Sequence, residues 1–327
     1  MVPFDLVSPR NLRDVAESLA DGRGEILAGG TDLLDRLKER IDPPARVVNI
    51  KSLKELYGIT EDSGLSLGPL TTMTEVAGND RVRHQYPALA EAALSVATPQ
   101  LRNMATLGGN LCQRPRCWYF RSNDYPCLKK GGSVCYAVTG RNKYHAIFGG
   151  GPSYIVHPSD TAPALIALGA QLEIHGATGK RMLPLHDFFQ GPRENLLHEN
   201  RLQRDELITR VQLPPAKEST RSTFLKFREK QSLDFAISSV AVALDMDGDT
   251  VRDGRIVLGG VAPVPWSVPA AVQQLQGRRL GSAIDDAAEA AVEGARPLDE
   301  NGFKVTLTRN LLRRALQQLA QGKADAR

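Results

Sequence analysis

Cys112, Cys117, Cys127 and Cys135 are the only cysteines in a chain of 327 residues, and they fall within 24 of them. This clustering constrains the chain more than any other feature, because one short stretch must either bring several thiols together or leave them all inert. Single, scattered cysteines suit unreactive packing; a set this close does not. Disulfides need an oxidising compartment. The opening MVPFDLVSPRNL has no basic region followed by an apolar stretch, so no cleaved secretory signal is expected. Metal ligation is the favoured reading. Structural zinc usually takes tight, paired cysteine knuckles, whereas the intervals here are four, nine and seven residues. A 4Fe–4S cubane tolerates looser spacing, because four thiolates reach four separate irons around a larger body.

The surroundings of the cysteines are basic. Arg114, Arg116, Arg121, Lys129, Lys130, Arg141 and Lys143 lie between Gln113 and His145 with one acid, Asp124, so this window carries +6 and the rest of the chain −2. Those cations, with backbone N–H groups of Gly131 and Gly132, would offset the negative charge of a thiolate-bound cluster; a solvated docking face is the competing reading. The net charge of +4 is too small to argue for nucleic acid. With 42% hydrophobic and 24% charged residues the chain is of ordinary globular composition, and its length suits two or three domains. No apolar run approaches the ~20 residues of a membrane span. A cytoplasmic location is expected, and a periplasmic complex exported on a partner's signal would look the same.

Along the chain, Ser8-Pro9 reads as a helix start, with Leu12, Val15 and Leu19 at helical spacing. A short strand, Ile26–Ala28, runs through Gly29-Gly30-Thr31-Asp32 into a helix from Leu33 to Arg40, and Val47–Ile50 is a further strand. Leu65–Leu67 reads as a strand and Thr74–Val96 as one helical stretch. Thr106-Leu107-Gly108-Gly109-Asn110 is a second Gly-Gly turn. Residues 113–157 lack periodicity and read as an insertion. Pro158-Ser159-Asp160 caps a helix to about Leu168, Gln171–His175 is a strand, and Pro214-Pro215 marks a boundary. Strands are expected at Phe224–Phe227, Val240–Met246 and Ile256–Val261, with a hairpin turn at Asp247-Gly248. Leu307, Leu311, Leu312, Ala315, Leu316 and Leu319 form the apolar face of a final helix.

Two glycine turns entered from apolar segments offer unhindered backbone N–H groups, which suit the two halves of a pyrophosphate. The G-x-G-x-x-G fingerprint is absent, so a Rossmann site is not supported. Ala28-Gly29-Gly30-Thr31-Asp32-Leu33 and Ala105-Thr106-Leu107-Gly108-Gly109-Asn110 resemble the two FAD pyrophosphate loops of the molybdenum hydroxylase flavoproteins, such as the FAD domain of xanthine dehydrogenase and the medium subunit of carbon monoxide dehydrogenase. Leu67-Gly68-Pro69-Leu70-Thr71, Ser159-Asp160 ahead of Ala162-Pro163-Ala164-Leu165, Asp234-Phe235-Ala236 and Leu258–Pro263 fit the same family in order, so the resemblance covers nearly the whole chain. The family usually joins the Gly-Gly-Asn loop to the Ser-Asp segment by a short link. The insertion here resembles the cluster-bearing FAD subunits of 4-hydroxybenzoyl-CoA reductase and of some bacterial aldehyde oxidoreductases.

The resemblance implies an α+β fold: a two-subdomain, PCMH-like FAD-binding domain (1–57 and 58–216, with a cysteine-rich, cluster-binding insertion at 113–157), then a C-terminal domain (217–327) of a sheet packed with helices. It implies FAD bound by Ala28, Gly29, Gly30, Thr31, Asp32 and Leu33 on one side and Thr106, Gly108, Gly109 and Asn110 on the other. Ser159 and Asp160 would contact ribityl or ribose hydroxyls. A 4Fe–4S cluster would be held by Cys112, Cys117, Cys127 and Cys135, that ligand set resting on the absence of any other cysteine. Partners would be a large molybdopterin-binding subunit and a small 2Fe–2S subunit, with a ferredoxin or other carrier outside. Electrons would pass from molybdenum to FAD and an external acceptor, this subunit contributing no organic catalysis of its own. Two alternatives stand: reverse flow from ferredoxin, as in 4-hydroxybenzoyl-CoA reductase, and a zinc-stapled interaction subunit.

Other candidates have blander readings. The six histidines form no close pair with ligand spacing. Asp245, Asp247 and Asp249 lack the glycine and glutamate of a calcium loop. Arg228 and Lys230 suit either the flavin or the surface. Trp118, Tyr119 and Phe120 suit core packing, cluster shielding or partner contact.

Overall fold

Asn11, rather than Ser8, starts the first helix: its Oδ1 accepts from the Asp14 amide at 2.9 Å, opening α1 (Leu12–Leu19). The structure, a computed structural model, describes residues 1–230 and 233–322. Around α1 stand β1 (Asp5–Val7), β2 (Gly24–Leu27) and β3 (Arg46–Asn49), with α2 (Leu33–Lys38) between the last two. The strands form a parallel sheet in the order β1-β3-β2, in which Val48 faces both Val7 and Ile26. Parallel neighbours need crossovers, and α1 and α2 supply them. Val15 and Leu19 of α1 bury against Val48 and Ile50.

The second sheet is antiparallel and discontinuous in sequence. It joins β4 (Ile59–Glu61), β5 (Leu65–Leu67), β6 (Gln171–Gly176), β7 (Gly179–Pro184) and β8 (Leu207–Leu213) in the order β4-β5-β8-β6-β7. Between β5 and β6 the chain makes α3 (Met73–Gly78), α4 (Asp80–Gln85), α5 (Pro87–Ser95), α6 (Pro99–Arg102) and α7 (Leu107–Cys112), then the cysteine-bearing stretch, then α8 (Thr161–Ala167). A short α9 (Leu185–Phe188) follows β7. The single helix expected over Thr74–Val96 is thus three. Asn79 breaks it by capping α4 through the Val82 amide, and Pro87 opens α5 at its first turn. In α5, Ala88, Ala92 and Ala93 are buried along with Leu89; side chains this small let the helix lie between α8 and the third sheet.

That third sheet is antiparallel, β12-β11-β10-β9, from β9 (Thr220–Phe227), β10 (Ser238–Asp247), β11 (Thr250–Gly259) and β12 (Trp266–Ser267). The expected hairpin forms at Asp247-Gly248, where Gly248 has φ +58°. Strand β10 is buried on both faces, and its alternation sorts the two: Val240, Val242 and Leu244 pack on the C-terminal helices, Ala241 and Ala243 on the core around α5 and α8. The C-terminal helices are α10 (Pro269–Leu275), α11 (Leu280–Ala290) and α12 (Phe303–Ala320). On α12 the buried face includes Leu312, Ala315, Leu316 and Leu319 as expected, but also Lys304 and Thr308. Two sheets with their helices, followed by a C-terminal sheet-and-helix unit, make the α+β fold expected. Among the described residues no helix is long and apolar enough to cross a membrane.

Candidate functional site

The two glycine turns meet. A Cβ on Gly29 would stand 1.9 Å from the carbonyl oxygen of Met104, just ahead of the second turn, and one on Gly108 would stand 2.7 Å from Cβ of Pro69. Gly30 takes φ +75°, a region that favours glycine. Thr106 caps α7 by accepting from the Gly109 amide. Gly29 of the first turn therefore packs on the Met104-Ala105 backbone that leads into the second, and Leu33 is turned into a core with Leu37 and Val47.

The second turn is tied to the Ser-Asp segment. Asn110 Oδ1 accepts from the hydroxyls of Ser159 at 2.6 Å and Thr161 at 2.7 Å, all three residues being buried. Thr161, absent from the expected set, is recognisable only as the neighbour of Ser159-Asp160. Asp160 does not cap α8: Ser159 Oγ does, accepting from the Ala162 amide at 3.0 Å, while Asp160 makes a buried ion pair with Lys226 at 2.6 Å. Burial pushes the Asp160 carboxyl above its ordinary range, and Lys226 partly holds it back. Lys226 and Arg228 both donate to the carbonyl of Ser95, at the end of α5. Lys230, in contrast, is exposed, and its backbone N–H bonds Asp234.

The cysteine-bearing segment contains one short 3-10 turn, Leu128–Lys130, and no strand or α-helix. Its cations hold it to the body of the protein. Arg121 and Arg116 pair with Asp32 at 2.6 and 3.0 Å, and the Arg114 amide donates to the other Asp32 oxygen at 3.0 Å. Burial alone would raise the Asp32 carboxyl, but Arg121 and Arg116, with the Arg114 amide, outweigh it and hold it below its ordinary range. Buried Glu199 pairs with Arg114 at 3.0 Å and Lys129 at 2.6 Å. Most of the basic window is thus neither a free docking face nor reserved for a cluster. Gly131 and Gly132 are likewise committed: their amides donate to the carbonyls of Leu128 and Cys127, not toward sulfur.

Three of the four cysteines come together. Cys117, Cys127 and Cys135 line one small pocket with Tyr119, Tyr136 and His145. His145 is buried, its Nε2 is 3.2 Å from Cys117 Sγ, and its Nδ1 has no partner. Burial pushes the imidazole down to about 4, so it is neutral, and pushes the Cys117 thiol up to about 12. Cys112 is elsewhere. It ends α7 and packs on the core around α5 and α8, where burial raises its thiol to about 12 and Glu25 is the nearby charge. Among the described residues no three His, Cys, Asp or Glu side chains are gathered tightly enough for one metal ion. Cysteine spacing had no means of singling out His145. The ring packs edge-on to Trp118 and tilted over Tyr119.

Residues 2–216 match the family described as FAD binding domain in molybdopterin dehydrogenase, and residues 222–319 match the CO dehydrogenase flavoprotein C-terminal domain. The chain is 38% identical over 306 residues to the aldehyde oxidoreductase FAD-binding subunit PaoB of Escherichia coli, covering 92% of each chain. It is 27% identical to the carbon monoxide dehydrogenase medium chain of Hydrogenophaga pseudoflava, covering 97% of each. A solved structure of carbon monoxide dehydrogenase from the same organism superposes with a TM-score of 0.77 at 26% identity, covering 97% of this chain and 98% of that one. The chain therefore belongs to the FAD-binding medium subunits of the molybdenum hydroxylase family, flavoprotein components of oxidoreductase complexes.

Proposed function

We propose that this chain is the FAD- and 4Fe–4S-containing electron-transfer subunit of a heteromeric molybdenum hydroxylase, passing electrons between its partner subunits and an external carrier. The partners are a large molybdopterin-binding subunit and a small 2Fe–2S subunit. The 38% identity to an aldehyde oxidoreductase subunit favours the oxidative direction over reductive dehydroxylation. Residues 1–57 and 58–216 form the two flavin-binding subdomains and residues 217–327 the C-terminal domain.

The observation that carries the reading is that Asp32 belongs to both halves of the site. It sits in the first glycine turn and is also the carboxylate onto which Arg116 and Arg121 of the cysteine segment close. The pyrophosphate would lie between Ala28–Leu33 and Thr106, Gly108, Gly109 and Asn110, with backbone amides of the first turn as donors, since those of Gly108, Gly109 and Asn110 already bond Pro69 and Thr106. The residues present suit that group: two glycine-containing turns come into contact through Gly29 and Met104, and Asn110 is fixed beside the second by the hydroxyls of Ser159 and Thr161. Ser159 and Asp160 lie against this group, toward the ribityl or ribose hydroxyls. Bound FAD supplies exchange between two-electron and one-electron carriers. The chain's part is to hold it, and to keep the thiol pocket beside it and walled by Tyr119 and Tyr136.

The test is made on the intact complex. Released flavin is identified and counted, and low-temperature EPR spectra are recorded after dithionite reduction under anaerobic conditions. One FAD per chain and a fast-relaxing cubane signal beyond those of the partner's 2Fe–2S clusters are expected. A complex whose iron is fully accounted for by its partners would overturn the cluster; a complex without flavin would overturn the whole reading.

A further inference from the structure

We infer, building on the cluster reading above, that the iron–sulfur centre is held by three thiolates, from Cys117, Cys127 and Cys135, with the imidazole of His145 at the fourth corner, and that Cys112 is not a ligand. The four-cysteine set rested on elimination alone. The structure supplies a different fourth donor.

Cys112 is pinned away from the pocket on both sides. Two residues before it, Asn110 is fixed by Ser159 and Thr161, and Gln113 Nε2 closes back on the Asn110 carbonyl at 3.0 Å. Two residues after it, the Arg114 amide is bonded to Asp32 and its guanidinium to Glu199. Bringing Cys112 to the other thiols would mean unwinding α7, which carries Gly108 and Gly109 of the second glycine turn.

His145 meets the opposite conditions. It lines the same pocket as the three thiols, its ring is buried, and its backbone is held from several directions. Its amide bonds the Asn142 carbonyl at 2.9 Å, and its carbonyl accepts from Asn301 Nδ2 at 3.1 Å and from the buried Lys304 ammonium at 3.0 Å. Its Nε2 meets Cys117 Sγ at 3.2 Å, and its Nδ1, on a ring that the Asn142 backbone also influences, is a buried nitrogen with no hydrogen-bond partner of regular geometry. A buried imidazole with unused capacity, facing three convergent thiols, is the donor a metal centre requires. The same pocket includes buried Ser153, whose hydroxyl is the rival fourth donor.

Three anionic thiolates and one neutral imidazole have a chemical consequence. Replacing thiolate by imidazole removes negative charge from the cluster and raises its reduction potential, as in centres where histidine replaces cysteine. The iron at that corner would also lack its sulfur anchor, and would be the one released as Fe2+ when ferricyanide or dioxygen takes one electron from the oxidised cluster and leaves a three-iron centre.

The test compares variants in the assembled complex, with FAD content reporting that the chain has folded. Cys112→Ala is expected to retain the iron and the reduced EPR spectrum of the parent. Cys117→Ser, Cys127→Ser and Cys135→Ser are expected to lose the iron of one cubane. His145→Gln should shift the potential and convert the oxidised centre to a three-iron form, and His145→Cys should restore a four-iron centre of lower potential. Loss of iron in Cys112→Ala equal to that in Cys117→Ser would return Cys112 to the ligand set and overturn the inference. So would a His145→Gln centre identical to the parent, and Ser153→Ala altering it instead would assign the corner to the hydroxyl. A parent complex carrying zinc, or no metal, in this chain would overturn the cluster reading itself.

Discussion

Arg121 donates to Asp32 across 89 residues of sequence, at 2.6 Å, and so fastens the cysteine segment to the first glycine turn. Both side chains are mostly buried, at 12% and 15% exposure, so this pair is not a screened surface contact. The same guanidinium also donates to the carbonyls of Pro115 and Arg114. Arg121→Ala would leave Asp32 short of a partner and the segment short of a strut, at a cost of about 3 kcal/mol. We expect a lower melting temperature and faster proteolysis within residues 113–157. Equal protease resistance in variant and parent would mean that the pair does not hold the segment.

Glu199 is the second fastening. Its carboxylate is 6% exposed and neutralises both Arg114 and Lys129, so removing it leaves Lys129 in a buried place without an anion and Arg114 with Asp42 alone. Glu199→Ala is expected to cost about 3–5 kcal/mol, and Glu199→Gln less, because the amide oxygen still accepts one hydrogen bond. Urea melts of the two variants check the order. If the alanine variant were the more stable of the two, charge pairing would not be what this residue contributes.

What the sequence made legible was whatever is local. Leu65–Leu67 was readable as a strand and Asp247-Gly248 as a hairpin because alternation and turn chemistry are written within a few residues. The two glycine turns were legible for the same reason. Their contact through Gly29 and Met104 was not, because nothing near Gly29 records what lies opposite. The break of one helix into three was hidden by apolar residues that continue across Asn79 and Pro87. Asp160 looked like a cap, but its partner Lys226 lies 66 residues on, and Ser159 does the capping. Cys112 shares its neighbours' residue type but not their place, since spacing says nothing about the bonds that pin Asn110 and Arg114. Lys304 breaks the apolar pattern of α12 because its ammonium is satisfied by the carbonyls of Tyr144, His145 and Gly260, two of them in the cysteine segment.

His157 predicts an acid-sensitive step. It is buried beside Phe189, its Nδ1 accepts from the Ser159 amide, and burial pushes it from 6.5 down to about 4. The unfolded chain takes up this proton near pH 6.5 and the folded chain only near 4. The stability this histidine contributes is therefore complete above pH 6.5 and drains away as the pH falls toward 4, by about 3 kcal/mol at 1.36 kcal/mol per unit. His157→Gln keeps a hydrogen-bond acceptor and removes the titration. The gap in stability between parent and variant should close by that amount between pH 7 and pH 4. Parallel stability curves over that range would show that His157 is not the group that drains it.

Gly29 and Gly109 predict unequal costs for the same added methyl group. At Gly29 the new Cβ would meet the Met104 carbonyl at 1.9 Å, and a backbone atom in a packed turn has no rotamer to escape into. The two turns would have to part, at a cost in the range of overpacking, about 1–3 kcal/mol or more, and any ligand held between them would lose one of its walls. At Gly109 the nearest atom is the Thr106 hydroxyl at 2.9 Å, which can rotate aside at the cost of one cap hydrogen bond, about 1 kcal/mol. Gly29→Ala should therefore lose most of its flavin while Gly109→Ala keeps a larger share, measured as FAD per chain after gel filtration. The reverse order would mean that flavin retention depends on an open backbone at Gly109 rather than on contact between the turns.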